Sequence, residues 1–314
     1  MIAVLCACAS QNENGIPQTE IQNEEIKVKL YLPDAQSGYY RATRFDWSGV
    51  IFQLEYKGHN YVDEWFDKYD PLLHDAICGP VDEFVKIGYD DAPVGGEFLK
   101  IGVGILKKAS GEDYSSFGLY DIVNGGKWSI KQKENQVSFT QTLKSDNYNY
   151  IYTKTVTLTP GKPELVLDYS LKNTGKNTLE TEVYNHNFFT MDNQVTGPDC
   201  VVRFPFEPTG QLQDKDSLAI ISGNEITYRE AFGKGYSVFM GNVYGFTDKV
   251  EDNSFEIINK KTSAGVRYWG SRPLSRMVFW ACQTVSCPEP YIQISVKPGE
   301  TFQWKNRYEF YVGK

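Results

Sequence analysis

The chain has 314 residues, of which 41% are apolar, 23% charged and 14% aromatic, and its formal net charge is −8. That composition supports a hydrophobic core large enough to fold without metals or disulfides, and the scattered basic residues exclude a nucleic-acid-binding face. No stretch approaches the roughly 20 apolar residues that a membrane helix needs.

In chain order, MIAVLCACAS is apolar and rich in small residues, and the composition changes abruptly at QNENGIPQTEIQNEE. The segment Leu5-Cys6-Ala7-Cys8 resembles a bacterial lipobox whose signal lacks its charged region and most of its apolar region. The plainer alternative is a frayed apolar end. On the lipobox reading, residues 1–25 are a truncated lipoprotein-type signal and polar tether with Cys8 lipidated, and residues 26–314 are one folded domain. The protein is then expected in the periplasm or on the outer-membrane surface of a bacterium, touching membrane only through that anchor.

From residue 26 onward the pattern is one of strands. IKVKLYL (26–32), WSGVIFQLEYKG (47–58), FLKIGVGIL (98–106) and QVSFTQTL (136–143) come first. KTVTLTP (154–160), ELVLDYSLKN (164–173) and TLETEVYNH (178–186) alternate apolar and polar residues and are joined by Gly, Pro and Asn turns. YSVFMGNVYGF (236–246), MVFWACQTV (277–285), YIQISV (291–296) and FQWKNRYEFYV (302–312) complete the set. Period-two alternation closed by such turns predicts antiparallel hairpins, and no window of twelve or more residues carries a helical stripe. The excess of Tyr, Phe and Trp points the same way. The expectation is an all-β chain forming one large antiparallel sandwich, as a monomer or weak dimer.

Only three histidines occur, at positions 59, 74 and 186. His186 closes an apolar strand and is followed by Asn187, Phe188 and Phe189. An imidazole titrates near neutrality and can act as a general acid, although a buried histidine with both nitrogens bonded fits the same position. His59, in the turn Lys57-Gly58-His59-Asn60, reads as exposed. YYRATRFDW (39–47) places Arg41 and Arg44 near Asp46, where arginine forks can hold sugar hydroxyls or a uronate carboxylate or else form structural ion pairs. LLHDAICGPVDEF (72–84) offers His74, Asp75, Asp82 and Glu83 around a Gly-Pro turn. The cysteines at 78, 200, 282 and 287 lack metal-site spacing, and Cys282 and Cys287 are read as either bridged or free.

The segment TEVYNHNFFTMD (181–192) resembles the Asn-His-x-Tyr-Phe-Asn-Leu motif of the aldose 1-epimerases, the galactose mutarotase family. Asn185-His186 and Phe189 match directly, whereas Phe188 replaces Tyr and Thr190-Met191 replaces Asn-Leu. The preceding run 152–183, the opening pair 47–62 and the closing turn KPGETFQWKNRYEF (297–310) resemble the family's corresponding strands. The resemblance implies a galactose mutarotase-like β-supersandwich of large twisted antiparallel sheets with an open carbohydrate cleft. It also implies acid/base ring opening without metal or cofactor, in which a histidine, His186, protonates the ring oxygen and a carboxylate deprotonates the anomeric hydroxyl. Glu289 in SCPEPYIQISVKPGE matches the family's base, and its flanking prolines suggest a bulge or strand edge. Glu300 is a poorer candidate. Asn185, Arg41, Arg44, His74 and Asp82 are the candidate substrate-binding residues. The family's His-Gly-Gly segment and its Asn-Arg pair are absent, which leaves the sugar open.

The function expected is therefore a mutarotase or epimerase acting on a mono- or oligosaccharide. The alternative is a non-catalytic carbohydrate-binding lipoprotein of a glycan-utilisation system, and a lyase or hydrolase on the same sandwich ranks last.

Overall fold

The structure, a computed structural model, describes residues 10–313; Cys8 and the lipobox lie outside them. Among these residues the chain is built from antiparallel strands, and one 3₁₀ turn at Val250–Asp252 is the only helical element. A ten-stranded sheet runs in the order Lys127–Lys133, Gln136–Lys144, Asn149–Leu158, Glu164–Asn173, Thr301–Val312, Ala264–Gly270, Ser254–Asn259, Cys200–Arg203, Glu225–Tyr228 and Ala219–Ser222. A five-stranded sheet, Val238–Met240, Arg276–Ala281, Ser286–Val296, Leu179–Phe188 and Gly79–Phe84, is packed against it. The strands of a second five-stranded sheet lie between Ser10 and Asn60, and a three-stranded sheet spans Glu97 to Asn124.

Alternation explains most of these elements. In Asn149–Leu158 the residues Tyr150, Tyr152, Lys154, Val156 and Leu158 point inward, because successive side chains on a strand face opposite ways. The run 98–106, expected as one strand, is two strands, Glu97–Lys100 and Gly104–Lys107, paired antiparallel. Gly102 makes that turn with φ +80°, and a Cβ there would lie 2.5 Å from an Asp46 carboxylate oxygen. Residues 10–25 are also more than a tether. Pro17–Gln22 pairs with Ile26–Tyr31 and buries Ile21, so the ordered sheet begins ahead of residue 26.

The layer between the ten-stranded sheet and the smaller one is partly ionic. Lys154, 1% exposed, extends its Nζ to within 2.9 Å of Asp82 Oδ2 and 4.0 Å of Asp46 Oδ2. Tyr169 donates to Asp82 at 3.0 Å, Tyr152 to Asp46 at 2.8 Å, and Asn185 Nδ2 to Asp82 at 2.9 Å. Burial raises the Asp46 carboxyl to about 6, although Lys154 pulls it down. Phe84 packs edge-on to Tyr152 and Trp304 around this cluster. An ion removed from such a group leaves its partner buried and unpaired, which is costly. Lys154→Met is therefore expected to destabilise the fold by roughly 3–5 kcal/mol at neutral pH, read as a lower urea midpoint at unchanged slope. Adding Asp82→Asn should recover part of that loss.

Candidate active site

The smaller sheet has two chemically different faces. On its inner face lie Asp82, Asn185 and Asn187; on its outer face lie Glu83, Tyr184, His186, Phe188, Val278, Trp280, Glu289 and Tyr291. The outer group lines a cavity of about 600 Å³, together with Arg44, Trp65, Asp75 and Arg276 from neighbouring segments. That size is ordinary for a small-molecule site. Phe117 and Phe239, 58% and 37% exposed, form its rim. A hollow of about 450 Å³ on the ten-stranded sheet, at Thr153, Asp168 and Lys305, contains no histidine.

At the floor of the cavity His186 Nε2 lies 3.4 Å from Glu289 Oε1. The two prolines around Glu289 act differently from the expected bulge or edge. Ser286–Val296 is the central strand of its sheet, and its ladder with Leu179–Phe188 stops at Tyr184–Tyr291. Proline has no N–H to donate, so the ladder cannot continue through Pro290 and Pro288. Side chains bridge the opening instead. Asn187 Nδ2 donates to the carbonyls of Asn185 and Pro288 at 2.9 and 2.8 Å, and Asn187 N–H donates to Cys287 Sγ at 2.9 Å. His186 and Glu289 face each other where the strands part.

Cys287 Sγ is also 3.0 Å from His186 Nδ1. Its own hydrogen has the Pro288 carbonyl within 3.8 Å, so the consistent assignment has Nδ1–H donating to sulfur and the Nε2 lone pair facing Glu289. Cys287, His186 and Glu289 are close enough to suggest a metal site. However, the thiol faces Nδ1 and the carboxyl faces Nε2, on opposite sides of the ring, so no one imidazole nitrogen faces both. The imidazole is clamped by Phe188, stacked at 3.7 Å, and by the edges of Phe45 and Trp280, each at 5.7 Å.

This packing sets the protonation. Burial raises the Glu289 carboxyl to about 8, with Glu83 and Asp75 adding to the rise and Arg44 and Arg276 opposing it. Burial, reinforced by Arg44, holds His186 well below its usual 6.5. At neutral pH the pair therefore keeps one proton, carried by Glu289. The expected roles, histidine as acid and glutamate as base, start from the opposite placement of that proton.

Beside the pair stands an ion cluster. Arg44 Nε bonds Glu83 at 2.9 Å, its NH2 group bonds Tyr184 Oη at 3.0 Å, and its NH1 group pairs closely with Asp75. Lys100, fully buried, bonds the other Glu83 oxygen at 2.9 Å and Tyr114 Oη at 3.0 Å. Burial favours a neutral Glu83, but Lys100 and Arg44 prevail and hold it below 4.5.

Of the residues expected at the site, His186, Glu289 and Arg44 come together. Asn185 and Asp82 do not line the cavity: strand parity turns them into the interlayer network, where Asn185 bonds Asp82 and Tyr308. Arg41 does not line the cavity. His74 stands behind the rim, its Nδ1 2.9 Å from Asp75 and its ring against Phe117. His59 pairs with Asp192 at 2.8 Å and is half-buried. Cys282 and Cys287 are free thiols. Arg276, Trp280, Tyr184, Lys100 and the role of Cys287 were not anticipated, although Val278, Trp280 and Arg276 share a parity that could have grouped them.

The raised carboxyl has a consequence for stability. An acid whose folded pKa lies above its unfolded one stabilises the fold fully below the unfolded value, here 4.5, and loses that contribution as pH rises through about 8. Glu289→Gln should remove this dependence. Relative to wild type, the variant is expected to gain roughly 3–5 kcal/mol between about pH 5 and about pH 9, measured by denaturant titration at both values.

No protein-family model matches the chain, and no curated protein is detectably similar to it. Solved structures do resemble it. A galactose mutarotase-like protein from Clostridium acetobutylicum superposes with a TM-score of 0.58 at 11% identity, covering 98% of each chain. A galactose mutarotase related enzyme from Lactobacillus acidophilus gives 0.56 at 12% identity over 94% of this chain and 97% of that one. A GalM/aldose epimerase homologue from C. elegans gives 0.55 at 12% identity over 94% and 98%. The chain therefore has the galactose mutarotase-like fold.

Proposed function

We propose that the protein interconverts the anomers of a reducing sugar by acid/base ring opening, as an aldose 1-epimerase-type isomerase. The observation that carries this reading is the His186–Glu289 pair, 3.4 Å apart on the floor of an open, aromatic-lined cavity. Mutarotation needs one group to give a proton to the ring oxygen and another to take one from the anomeric hydroxyl. Those two oxygens are bonded to the same carbon, so a donor and an acceptor side by side can serve both.

In the resting protonation state Glu289 gives its proton to the ring oxygen while His186 Nε2 takes the hydroxyl proton. The bond from C1 to the ring oxygen breaks and a free aldehyde forms. The pair is left as carboxylate and imidazolium, with Arg44 favouring the carboxylate. Rotation about the bond next to C1 presents the other carbonyl face. Closure then runs backwards: Glu289 recovers its proton from the sugar hydroxyl and the imidazolium protonates the aldehyde oxygen. Trp65 and Trp280 offer apolar surface for the sugar ring.

Polarimetry of freshly dissolved α-galactose and α-glucose tests this directly. The wild-type protein is expected to speed relaxation, and His186→Gln and Glu289→Gln should each lower the rate by about 10²- to 10⁴-fold. The double variant should be little worse than either, since the two residues act as a unit. Wild-type protein that leaves relaxation unchanged would point to the cavity as a binding site without catalysis.

A further inference from the structure

Arg276 is a cation in the cavity wall without an anionic partner. It lines the cavity, makes no ion pair within 4.0 Å among the described residues, and its Nε is shielded from solvent without a hydrogen-bond partner. Its guanidinium carbon lies over the Tyr291 ring, 3.9 Å from the centroid, and Tyr291 stacks in turn on Tyr184 at 4.4 Å. The group is thus fixed in orientation with its donors free. The other charges nearby are matched: Arg44 and Lys100 are held by Glu83 and Asp75. With Glu289 protonated, Arg276, half-buried in the wall, is the surplus charge, and an arginine fork favours a flat bidentate anion.

Its place in the register fits a substituent of the sugar. Val278 is paired with Glu289, and Arg276 lies two residues along the same strand face, paired with Tyr291. Two residues of a strand span roughly 7 Å, about one sugar ring away from the acid/base pair. In a hexuronic acid the carboxylate hangs from C5, the carbon bonded to the ring oxygen. With C1 at His186 and Glu289, a ring lying along the strand would bring that carboxylate within reach of Arg276. We infer that the substrate is a sugar carrying a carboxylate, a hexuronic acid, and that Arg276 is the residue that selects it. This rests on the ring-opening reading and adds to it the class of sugar. One unmatched arginine balances a single negative charge, which favours a carboxylate over a phosphate dianion.

The test compares anomer exchange, followed by magnetisation transfer between anomeric protons, for galacturonate, glucuronate, the neutral hexoses and hexose 6-phosphates. A higher kcat/KM for a uronate than for its neutral hexose is expected. In Arg276→Gln that preference should fall about 10- to 100-fold, the worth of a charge-assisted hydrogen bond, mainly through KM, and Arg276→Lys should keep part of it. Equal rates for uronate and neutral sugar, unaltered in Arg276→Gln, would overturn the inference and leave the mutarotase reading standing. Preference for a 6-phosphate would overturn the carboxylate. If no sugar exchanges, the ring-opening reading falls instead. Calorimetric titration of galacturonate into Glu289→Gln then decides the inference: binding lost in Glu289→Gln/Arg276→Gln upholds it, and no binding overturns it. Thermal melting of each variant separates misfolding from loss of recognition.

Discussion

A carboxyl group buried against an imidazole, with one proton between them, is the constraint on which the site depends. Water would ionise Glu289 and leave His186 half protonated near neutrality. The aromatic floor removes that water, and both groups then favour their uncharged forms. Such a pair is a proton donor beside a proton acceptor. It can serve two oxygens on one carbon without separating charge until the ring opens. Arg44 acts on both members: its charge favours ionised Glu289 and disfavours protonated His186.

The sheet makes this possible through parity and through proline. Side chains alternate, so one strand, Leu179–Phe188, gives His186 to the cavity and Asn185 and Asn187 to the interior. The interior set ties the sheet to its neighbour through Asp82, Lys154 and Tyr308. The prolines around Glu289 end a backbone ladder, and Asn187 spans the gap with its side chain. The geometry of the His186–Glu289 pair therefore rests on a polar network that does not line the cavity. Support of this kind, from groups packed behind the facing pair, is what fixes a site to within a fraction of an ångström.

Much of this was legible in the residues themselves. Alternation located the long hairpins between 136 and 188, and Asn-His followed by aromatic residues marked the histidine strand. Glu289 stood out by its prolines, although their effect was to break a ladder and not to mark an edge. Substrate roles for Asn185 and Asp82 came from their place in the segments around His186 and Glu83, which ignores that neighbours on a strand face opposite ways. Lys154 shares parity with Val156 and Leu158, so its burial was implied, but a lysine at an inward position needs the distant Asp82 and Asp46 to make sense. Arg276 and the contact of Cys287 with His186 were invisible for a similar reason. Their partners, Tyr291 and His186, are brought to them only by pairing across strands.

The state of the shared proton can be measured directly. Carbon-13 spectra of side-chain carboxyls, recorded against pH for wild type and Glu289→Gln, identify the Glu289 signal by its loss. Nitrogen-15 spectra of the imidazoles do the same for His186. The expected result is a carboxyl that ionises near about pH 8 and an imidazole that stays neutral well below its usual 6.5. A Glu289 carboxyl ionising near 4.5, beside a His186 protonated at neutral pH, would contradict the account.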